Sequence, residues 1–516
     1  MQVLGDILRH HAKERGDKIA LKFRDRNWTY DALNRATERV ANALVAEGIT
    51  KGARIALLAA NSDHFYELEF GAAKCGAVLV PVNFRLAPPE VAFVVDDAEA
   101  EIFFVDQAHA GLVRRIADDL KTVRKIVAID FAEPGWADYT AWRDAAPESP
   151  CPVDVSEDDT AVQMYTSGTT GHPKGVELTH ANMLSLVGPA LELYSNWTAD
   201  DVNLICMPLF HIAGGGWGNI GFYAGSTNVL HAEVDAGAIL RTIAQDRISV
   251  VLFVPAVILL LTQHPDVTKT DFSSLRLVIY GASPIPLDLL QRAVGLFGCG
   301  FAQVYGSTET AGAVTYLPPE EHRPEGSPRM KSCGRAHFGV ELRVVDAEGR
   351  DTKPYEVGEI ICRTRQTMKG YWRRPEATAQ AIRDGWYHSG DAGYLDEDGW
   401  LYIHDRIKDM IVSGGENVYP AEVESALFGH PAIADVAVIG VPDEKWGEAV
   451  KAMVVLKPGA SATAAEIIAH ARERIAGYKA PKSVDFIAEM PRNPSGKILK
   501  RELRKPFWEG RDRQVN

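Results

Sequence analysis

Short and almost continuous apolar runs, separated by amphipathic stretches, fill the first 280 residues of the chain. Apolar strands that alternate with helices are typical of a parallel sheet covered by helices on both faces. Residues 63–75 lie between two of these runs and predict a helix that begins near Asp63. The pattern therefore predicts an α/β fold with strands at residues 54–60, 77–82, 101–105, 125–129, 160–165, 202–206, 250–254 and 275–280.

The pattern changes after about residue 330, where runs such as residues 339–345 and 358–363 indicate a more antiparallel, β-rich region. From about residue 410 a compact α+β pattern follows, with helices at 420–428 and 463–475 and strands at 433–439 and 451–456. The sequence shows neither a fixed-period repeat nor a low-complexity linker. We therefore predict a large N-terminal domain of stacked α/β sheets over residues 1–407, with its β-rich part at about 330–405. A short hinge near residues 405–409 joins it to a small C-terminal α+β domain over residues 408–516.

Composition and charge narrow the class of protein. The 516 residues exceed what one hydrophobic core usually holds, and 46% hydrophobic with 24% charged residues is typical of a globular protein. The longest apolar run, residues 250–261, is too short to span a bilayer and indicates a strand that leads into a helix. The formal charge of −14 weighs against general attraction to nucleic acid or anionic lipid.

The start of the chain and its cysteines indicate a cytoplasmic protein. The first nine residues include Asp6 and Arg9, and such charges interrupt the continuous apolar core that a signal peptide needs. The six cysteines are scattered singly, which suggests neither a zinc site nor a disulfide framework. We expect no integral membrane segment and no nucleic-acid partner, and the sequence leaves monomer and homodimer open.

The loop over residues 165–176 is the strongest single candidate for chemistry. It contains three glycines, one serine and three threonines after a predicted strand, and Lys174 lies near its end. Glycines allow positive φ, so that successive backbone N–H groups can converge on an anion, and the hydroxyls add donors. The Gly-x4-Gly-Lys-Ser/Thr pattern of a P-loop is absent. By itself the loop predicts anion binding and leaves a flexible hairpin tip open.

Three further side chains suit nucleotide chemistry. Glu309 follows an apolar strand at residues 301–305, where α/β sheets place binding groups, and its carboxylate is a hard oxygen ligand. Asp391 follows His-Ser-Gly, so we predict that it lies on a turn. Lys497 follows Pro-Ser-Gly in a cationic run. Taken alone, each of the three also fits a solvated surface position.

Residues 165–176 resemble the phosphate-binding signature of the adenylate-forming superfamily, which contains acyl-CoA synthetases, peptide-synthetase adenylation domains and beetle-type luciferases. The resemblance covers nearly the whole chain, and seven further segments follow in the family's order: residues 207–214, 280–284, 305–310, 387–391, 405–409, 414–417 and 494–497. It implies an enzyme that uses ATP, Mg²⁺ and coenzyme A. A carboxylate, from a fatty acid or an aryl or phenylpropenoic acid, would become an acyl-adenylate and then an acyl-CoA.

The resemblance also implies the residues of the ATP site. Thr166 and Glu309 are implied as metal ligands, Tyr305 as the face on which adenine stacks, and Asp391 with Arg406 as the ribose contacts. Polar edges for the adenine ring would come from Gln303 and residues 281–283. The other residues implied to contact the nucleotide are Ser167, Gly168, Thr169, Thr170, Gly171, Lys174, Gly281, Ala282, Ser283, Gly306, Ser307 and Thr308.

Catalysis and domain movement are implied in the same way. Lys497 would reach both the carboxylate and the α-phosphate, acting with Thr166, Glu309 and His211. The C-terminal domain would then turn about Lys408 and remove the lysine. That turn would bring the CoA-side segment, Gly414, Gly415 and Glu416, toward the channel for the thiol.

The acid pocket is the least determined part of the site. The resemblance implies a pocket lined by His211, Gly214, Gly215, Trp217, Gly281 and Gly306. The glycines after His211 predict open space beside the chemistry, and Trp217 is a candidate gate or floor. A lone histidine in an apolar stretch is more often structural than functional, so both roles stay open for His211.

Other functions differ from a CoA ligase in testable ways. Two alternatives would share the fold of a CoA ligase: an acyl-AMP ligase that loads a carrier protein, and a luciferase-like monooxygenase. A non-catalytic nucleotide-binding scaffold would be expected to lack Lys497, Glu309 or the loop, and all three are present. A dehydrogenase is disfavoured, because the glycines at 214, 216 and 218 do not form Gly-x-Gly-x-x-Gly after a strand. The sequence does not determine which acid is activated.

Overall fold

A computed structural model of the chain describes residues 1–166, 173–194, 196–283, 285–406, 409–413, 416–443, 446–492 and 498–509, with the backbone only at 404–406 and 416–417. Its α-helices are α1 (Gly5–Arg15), α2 (Tyr30–Ala46), α3 (Asp63–Cys75), α4 (Pro88–Asp97), α5 (Ala110–Val113), α6 (Tyr139–Asp144), α7 (His180–Leu193), α8 (Ile212–Ala224), α9 (Ala236–Gln245), α10 (Pro255–Gln263), α11 (Leu287–Phe297), α12 (Pro375–Ala381), α13 (Pro420–Phe428), α14 (Ala464–Arg472) and α15 (Lys500–Trp508).

The strands follow in the same order along the chain. They are β1 (Ile19–Phe23), β2 (Arg26–Thr29), β3 (Arg54–Leu58), β4 (Val78–Pro81), β5 (Ala100–Asp106), β6 (Lys125–Ile129), β7 (Ala137–Asp138), β8 (Thr160–Thr166), β9 (Lys174–Thr179), β10 (Val202–Ile205), β11 (Thr227–Leu230), β12 (Val250–Phe253), β13 (Leu277–Gly281), β14 (Gly300–Ser307), β15 (Gly312–Leu317), β16 (Arg335–Ala336), β17 (Val340–Val345), β18 (Gly358–Thr364), β19 (Gly370–Tyr371), β20 (Ile382–Arg383), β21 (Trp386–Leu395), β22 (Leu401–Arg406), β23 (Ile411–Ser413), β24 (Glu416–Val418), β25 (Ile433–Asp443), β26 (Gly447–Leu456) and β27 (Ser483–Phe486).

Two mixed sheets form the large N-terminal part. One has the order β19-β9-β8-β4-β3-β5-β6-β7, and the other has the order β16-β15-β14-β13-β12-β10-β11-β1-β2. Pairing is parallel from β8 to β7 in the first sheet, and from β14 to β1 in the second. The parallel α/β arrangement predicted from the apolar runs is therefore confirmed. The carboxyl ends of β8 and β14, which carry Thr166 and Tyr305, lie at strand ends suited to ligand binding.

Helix α3 lies in the hydrophobic core that joins the two sheets. Every residue from Asp63 to Cys75 is buried, and Tyr66 and Phe70 pack against Phe222 of α8. Buried ionisable groups need partners because desolvating an isolated charge is costly. Lys74 accordingly lies 2.9 Å from Glu38. The helix begins and ends where the sequence predicts.

The β-rich region forms an antiparallel sheet in the order β17-β18-β21-β20, with β22 also paired to β21, as the sequence predicts. The prediction that Asp391 lies on a turn is wrong, because the residue lies within β21 and pairs with Arg406 of β22. The pairing of β21 with β18 shifts register beside it, and Gly390 has φ of +67°. The glycine therefore marks a β-bulge in a continuing strand.

A separate antiparallel sheet, β24-β23-β26-β25 with β27 parallel to β26, packs against α13 and α14 in the C-terminal part. Asp409 forms an ion pair with Arg504 of α15. The fold class is confirmed, while the boundary at residues 407 and 408 stays a prediction because both positions lie outside the described residues. In the part of the chain that the structure describes, no helix has the length and apolar character needed to cross a bilayer.

Candidate active site

The predicted phosphate loop connects two antiparallel strands. β8 ends at Thr166 and β9 begins at Lys174, and these two residues face each other in the register of the hairpin. The loop's ends are thus held together by the sheet, which places Lys174 beside the first residue of the loop. Five of the predicted phosphate contacts lie outside the described residues, namely Ser167, Gly168, Thr169, Thr170 and Gly171.

Glu309 is presented by a tight turn at the end of β14. Residues Thr308–Thr310 form a single 3₁₀ turn, and the backbone N–H of Ser307 donates to the Thr310 hydroxyl at 3.0 Å. Ala311 then takes a left-handed conformation with φ of +49°. The turn ends β14 and precedes β15. Glu309 therefore lies at the carboxyl end of β14, where the sequence predicts a ligand-binding group.

Tyr371 links Glu309 to the phosphate loop and was not found by sequence reasoning. Its hydroxyl donates to Oε1 of Glu309 at 2.9 Å, and Nζ of Lys174 lies 4.9 Å from the centroid of its ring. Strand β19 places Tyr371 there by pairing with Val176 of β9. The only sequence signal is the aromatic pair Tyr371-Trp372 after a glycine in a polar stretch.

The donor set at this edge fits a hard divalent cation. Glu309 and Thr166 offer carboxylate and hydroxyl oxygens, and a hydrogen bond such as that from Tyr371 orients a ligating carboxylate. Among the described residues no group of three or more His, Cys, Asp or Glu side chains could hold a metal alone. This arrangement fits Mg²⁺, which is usually bound through one or two carboxylates together with substrate phosphates and water.

Tyr305 and Asp391 form the second polar pair of the site. The Tyr305 hydroxyl donates to Oδ2 of Asp391 at 2.7 Å, and the Asp391 backbone N–H donates to the Ser389 hydroxyl at 3.0 Å. The bulge in β21 thus turns the Asp391 carboxylate toward the end of β14. The side chain of Arg406, the other predicted ribose contact, is outside what the structure describes.

Gln303 lies on β14 opposite Tyr280 of β13. Gln303 is buried, its Oε1 accepts from the Tyr280 hydroxyl at 3.3 Å, and its Nε2 lies 3.7 Å from Sγ of Cys333. These contacts leave one N–H of the amide and one lone pair of Oε1 unused, so the role of Gln303 at the adenine ring stays a prediction. Ala282 and Ser283 lie at the neighbouring carboxyl end of β13, where Ala282 has φ of +68°.

Gly281 and Gly306 are required by the packing of adjacent strands. A Cβ at Gly281 would lie 2.3 Å from the carbonyl oxygen of Val304, and one at Gly306 would lie 1.9 Å from that of Gly312. Both contacts are with backbone atoms, which cannot move aside as a flexible side chain would. These glycines therefore bring β13, β14 and β15 together at the strand ends.

His211 lies at the start of α8. It is the N-cap residue of α8, its Nε2 is buried, and that atom has no hydrogen-bond partner among the described residues. Burial, with a smaller contribution from the charge of Arg85, lowers the pKa of His211 to about 4. The imidazole is therefore neutral near pH 7. Other buried histidines, such as His11 and His180, also have one ring nitrogen without a partner among the described residues, so the role of His211 at the acid stays a prediction.

The prediction that the glycines after His211 leave open space is wrong for Gly214 and Gly215. A Cβ at Gly214 would lie 2.2 Å from the carbonyl oxygen of Pro208, and one at Gly215 would lie 2.9 Å from that of Leu209. These glycines let α8 approach the preceding segment closely. Trp217 is 3% exposed and its indole N–H donates to the Leu204 carbonyl at 3.2 Å, so it is fixed in the core and cannot serve as a mobile gate.

The remaining predicted residues lie outside the described residues or are described only in their backbone. Lys497, Lys408, Gly414 and Gly415 belong to the first group, and Glu416 to the second. Their catalytic, hinge and CoA-side roles stay predictions.

Comparisons with known proteins agree with this geometry. Residues 8–372 match the family model described as AMP-binding enzyme, and residues 422–497 match its C-terminal domain. The chain is 40% identical to a fatty acid–[acyl-carrier-protein] ligase, ScoC, of Streptomyces coeruleorubidus, over 100% of this chain and 98% of that protein. It is 40% identical to a feruloyl-CoA synthase of an Amycolatopsis species, over 93% and 94%. The crystal structure of the anthranilate CoA ligase AuaEII with anthranoyl-AMP superposes with a TM-score of 0.90 at 29% identity, over 98% and 97%.

Proposed function

This chain belongs to the AMP-binding enzyme family and is an AMP-forming acid–thiol ligase, and from that premise we propose how its residues divide the reaction. The observation that supports the proposal is that two groups of side chains lie at the strand ends. One is Lys174 and Tyr371 with Glu309, and the other is Tyr305 with Asp391. The first group is suited to the phosphates and their metal, and the second to the nucleoside. The proposal also covers the class of acid that is activated and the thiol that accepts the acyl group.

In the first step a carboxylate oxygen attacks the α-phosphorus of ATP, pyrophosphate leaves, and an acyl-adenylate forms. Both reactants are anionic, so the step needs fixed positive charge and alignment. Lys174 supplies charge at the base of the phosphate loop, and Lys497 would reach the carboxylate and the α-phosphate. The neutral His211 lies at the start of α8, where its buried nitrogen can hydrogen-bond the incoming acid.

Glu309 and Thr166 would hold Mg²⁺, which neutralises phosphate charge when bound. The hydrogen bond from Tyr371 fixes one oxygen of the Glu309 carboxylate and so its orientation. Asp391 would accept from the ribose hydroxyls, and the ring of Tyr305 would stack on adenine. The short bond between these two side chains holds both in place before the nucleotide binds.

In the second step a thiol loses its proton and attacks the acyl carbon, and the bond from that carbon to AMP breaks. We propose coenzyme A as the acceptor, with the C-terminal domain turning about Lys408 to bring Gly414, Gly415 and Glu416 toward the thiol. A carrier-protein thiol is the second candidate, because the full-length relative ScoC is named for that acceptor. The cytoplasmic location, and the choice between monomer and homodimer, stay predictions.

The test is AMP release from ATP with a panel of fatty and aryl acids, measured with coenzyme A, with a phosphopantetheinylated carrier protein, and without a thiol. AMP and thioester formation that depends on coenzyme A supports the proposal. Turnover with the carrier protein alone would assign the second candidate. Oxygen consumption or light emission with an accepted acid would indicate a monooxygenase instead.

A further inference from the structure

We infer that Asp97, the last residue of α4, is a positioning residue that fixes the base of the phosphate loop through Tyr165. The inference rests on the proposed function, since it concerns how the chain holds the loop that would bind the phosphates of ATP. It depends on three observations: the contacts of the Asp97 carboxylate, the place of Tyr165 beside the loop, and a second connection from Asp97 to the segment that carries Tyr371.

The carboxylate of Asp97 connects two distant segments of the chain. Its Oδ2 accepts from the Tyr165 hydroxyl at 2.8 Å, and its Oδ1 accepts from Nη2 of Arg374 at 2.6 Å. The side chain is 12% exposed, and both of its oxygens are engaged. The helix itself does not favour this carboxylate, because a negative charge at the C-terminal end of a helix is unfavourable. The two partners therefore stabilise it there.

Tyr165 transmits this contact to the loop. It directly precedes Thr166, the last residue of β8 and a proposed Mg²⁺ ligand. Consecutive side chains of a strand point to opposite faces, so fixing the side chain of Tyr165 also fixes the direction of Thr166. The Tyr165 ring packs against the apolar cluster that includes Val94 and Val95 of α4. Burial, with a smaller contribution from the charge of Asp97, raises the pKa of Tyr165, so its hydroxyl stays protonated and donates.

The second connection runs through Trp372, which directly follows Tyr371. The indole N–H of Trp372 donates to the backbone carbonyl of Asp97 at 2.9 Å, and its backbone N–H donates to the carbonyl of Gly175 at 2.8 Å. The guanidinium of Arg54 lies 3.4 Å from the centroid of the indole ring, a cation–π contact that holds the ring from the side of β3. The segment that carries Tyr371 is therefore fastened both to α4 and to β9.

Asp97 thus supports both side chains that would hold the metal. Thr166 is supported through Tyr165, and Glu309 through Tyr371, which lies in the segment tied to Asp97. Among the described residues, none of the hydrogen-bond partners of the Asp97 carboxylate belongs to the proposed nucleoside or acid sites. Loss of the carboxylate should therefore weaken binding of the phosphates of ATP more than binding of the nucleoside.

The experiment measures the Kd of MgATP and of AMP for the full-length enzyme by isothermal titration calorimetry, without an acid. The variants are Tyr165→Phe, which keeps the ring and removes the hydroxyl, Asp97→Ala, and the double variant. We expect the Kd of MgATP to rise about tenfold in Tyr165→Phe and at least as much in Asp97→Ala. The double variant should match Asp97→Ala, because both changes remove the same contact. The Kd of AMP, which lacks two of the phosphates, should stay nearly unchanged.

Two further variants separate positioning from general structural support. Asp97→Asn keeps an oxygen that can accept from Tyr165 and loses the charge opposite Arg374, so it should recover most of the MgATP affinity that Asp97→Ala loses. Tyr402→Phe removes a tyrosine–aspartate contact outside the site and is the matched control. Urea unfolding of every variant ensures that folded proteins are compared. Tyr165→Phe, which keeps its apolar ring, remains the test if Asp97→Ala does not fold.

Failure of the inference differs from failure of the proposed function. No AMP release with any acid would refute the function. An active enzyme in which Tyr165→Phe leaves the Kd of MgATP unchanged, or in which the Kd values of MgATP and AMP rise equally, would overturn the role of Asp97 and leave the ligase activity standing. Equal losses in Asp97→Asn and Asp97→Ala would overturn the route through Tyr165.

Discussion

The hydroxyl of Tyr371 donates a hydrogen bond to Oε1 of Glu309 at 2.9 Å, while the ammonium of Lys174 lies 4.9 Å from the centroid of the same ring. One side chain therefore connects the base of the phosphate loop to the proposed metal ligand. Because β19 pairs with β9, this connection is part of the sheet and is present before any ligand binds. Tyr371 accordingly acts on the metal site through Glu309.

Replacing Tyr371 by phenylalanine should weaken the use of Mg²⁺ and leave the fold intact. The ring and its contact with Lys174 remain, and the hydrogen bond that orients Glu309 is lost. Loss of such an outer partner typically costs about 10- to 100-fold in metal affinity or activity. We expect the Mg²⁺ concentration for half-maximal ATP–pyrophosphate exchange to rise by about tenfold. Tyr402→Phe removes a tyrosine–aspartate contact outside the site and is the control. An unchanged Mg²⁺ requirement would remove Tyr371 from the metal site.

The contact between Tyr305 and Asp391 predicts a second variant. In Tyr305→Phe the aromatic face for adenine remains, but the Asp391 carboxylate loses a hydrogen bond of 2.7 Å. Hydrogen bonds to charged groups contribute about 1.5–3 kcal/mol, so we expect KM for ATP to rise by about tenfold or more. Tyr305→Ala should be worse, because it also removes the stacking surface. If phenylalanine and alanine gave equal losses, the hydrogen bond would have no separate role.

Lys497 lies outside the described residues, and its role is tested by separating the two steps of the reaction. Lys497→Ala should lower ATP–pyrophosphate exchange by about 10²–10³-fold, because the charge at the α-phosphate is lost. Thioester formation from supplied acyl-adenylate should change much less. Lys505→Ala removes a nearby basic residue of α15 and serves as the control. Equal loss of both steps would contradict the assignment.

The sequence predicted the elements that depend on a regular alternation of apolar and polar residues. α3 begins and ends at the predicted residues, and β6 and α13 do so as well, because each is bounded by clear breaks in the pattern. The prediction for Asp391 was wrong because a glycine with positive φ, such as Gly390, occurs both in turns that end a strand and in β-bulges within a strand. Only pairing on both sides of β21, with β18 and β22, distinguishes the two cases.

Only part of the site could be predicted, because sequence patterns describe short segments and not contacts between distant residues. Glu309 and the ends of the loop are local in sequence and carry recognisable chemistry. Tyr371 acts through a contact across 62 residues of sequence, and no local pattern marks it. The prediction of open space at the α8 glycines was wrong because a glycine-rich helix face can lie against a cavity or against backbone atoms, and the sequence does not distinguish the two. At Gly214 the helix packs against the carbonyl oxygen of Pro208.

Glu69 of α3 provides a prediction about stability and pH. It is 1% exposed, and its Oε1 accepts from Nδ2 of Asn219 at 3.0 Å. Its Oε2 is buried without a partner in the part of the chain that the structure describes. Burial raises the pKa of Glu69 from 4.5 to about 8, so the carboxyl is protonated in the folded protein near pH 7. Unfolding at that pH releases the proton.

The sign of the effect follows from this shift. The folded state binds one more proton than the unfolded state between pH 4.5 and about 8, so the contribution of Glu69 to stability is fully present below pH 4.5 and is lost as the pH rises through about 8. The slope reaches about 1.4 kcal/mol per pH unit within that window. Glu69→Gln keeps the bond from Asn219 and removes the titration. We therefore expect the variant to gain stability relative to the wild type as the pH rises from 5 to 8, measured by urea unfolding.

His64 and Lys74 on the same helix also titrate, with pKa values of about 9 and about 8, but they are common to both proteins, so the difference between variant and wild type isolates Glu69. Glu473→Gln, at a side chain that is 73% exposed, is the matched control and should show no such pH-dependent gain. A difference between Glu69→Gln and wild type that stays constant from pH 5 to 8 would show that Glu69 is ionised in the folded protein. The buried carboxyl would then need a partner that its contact with Asn219 alone does not provide.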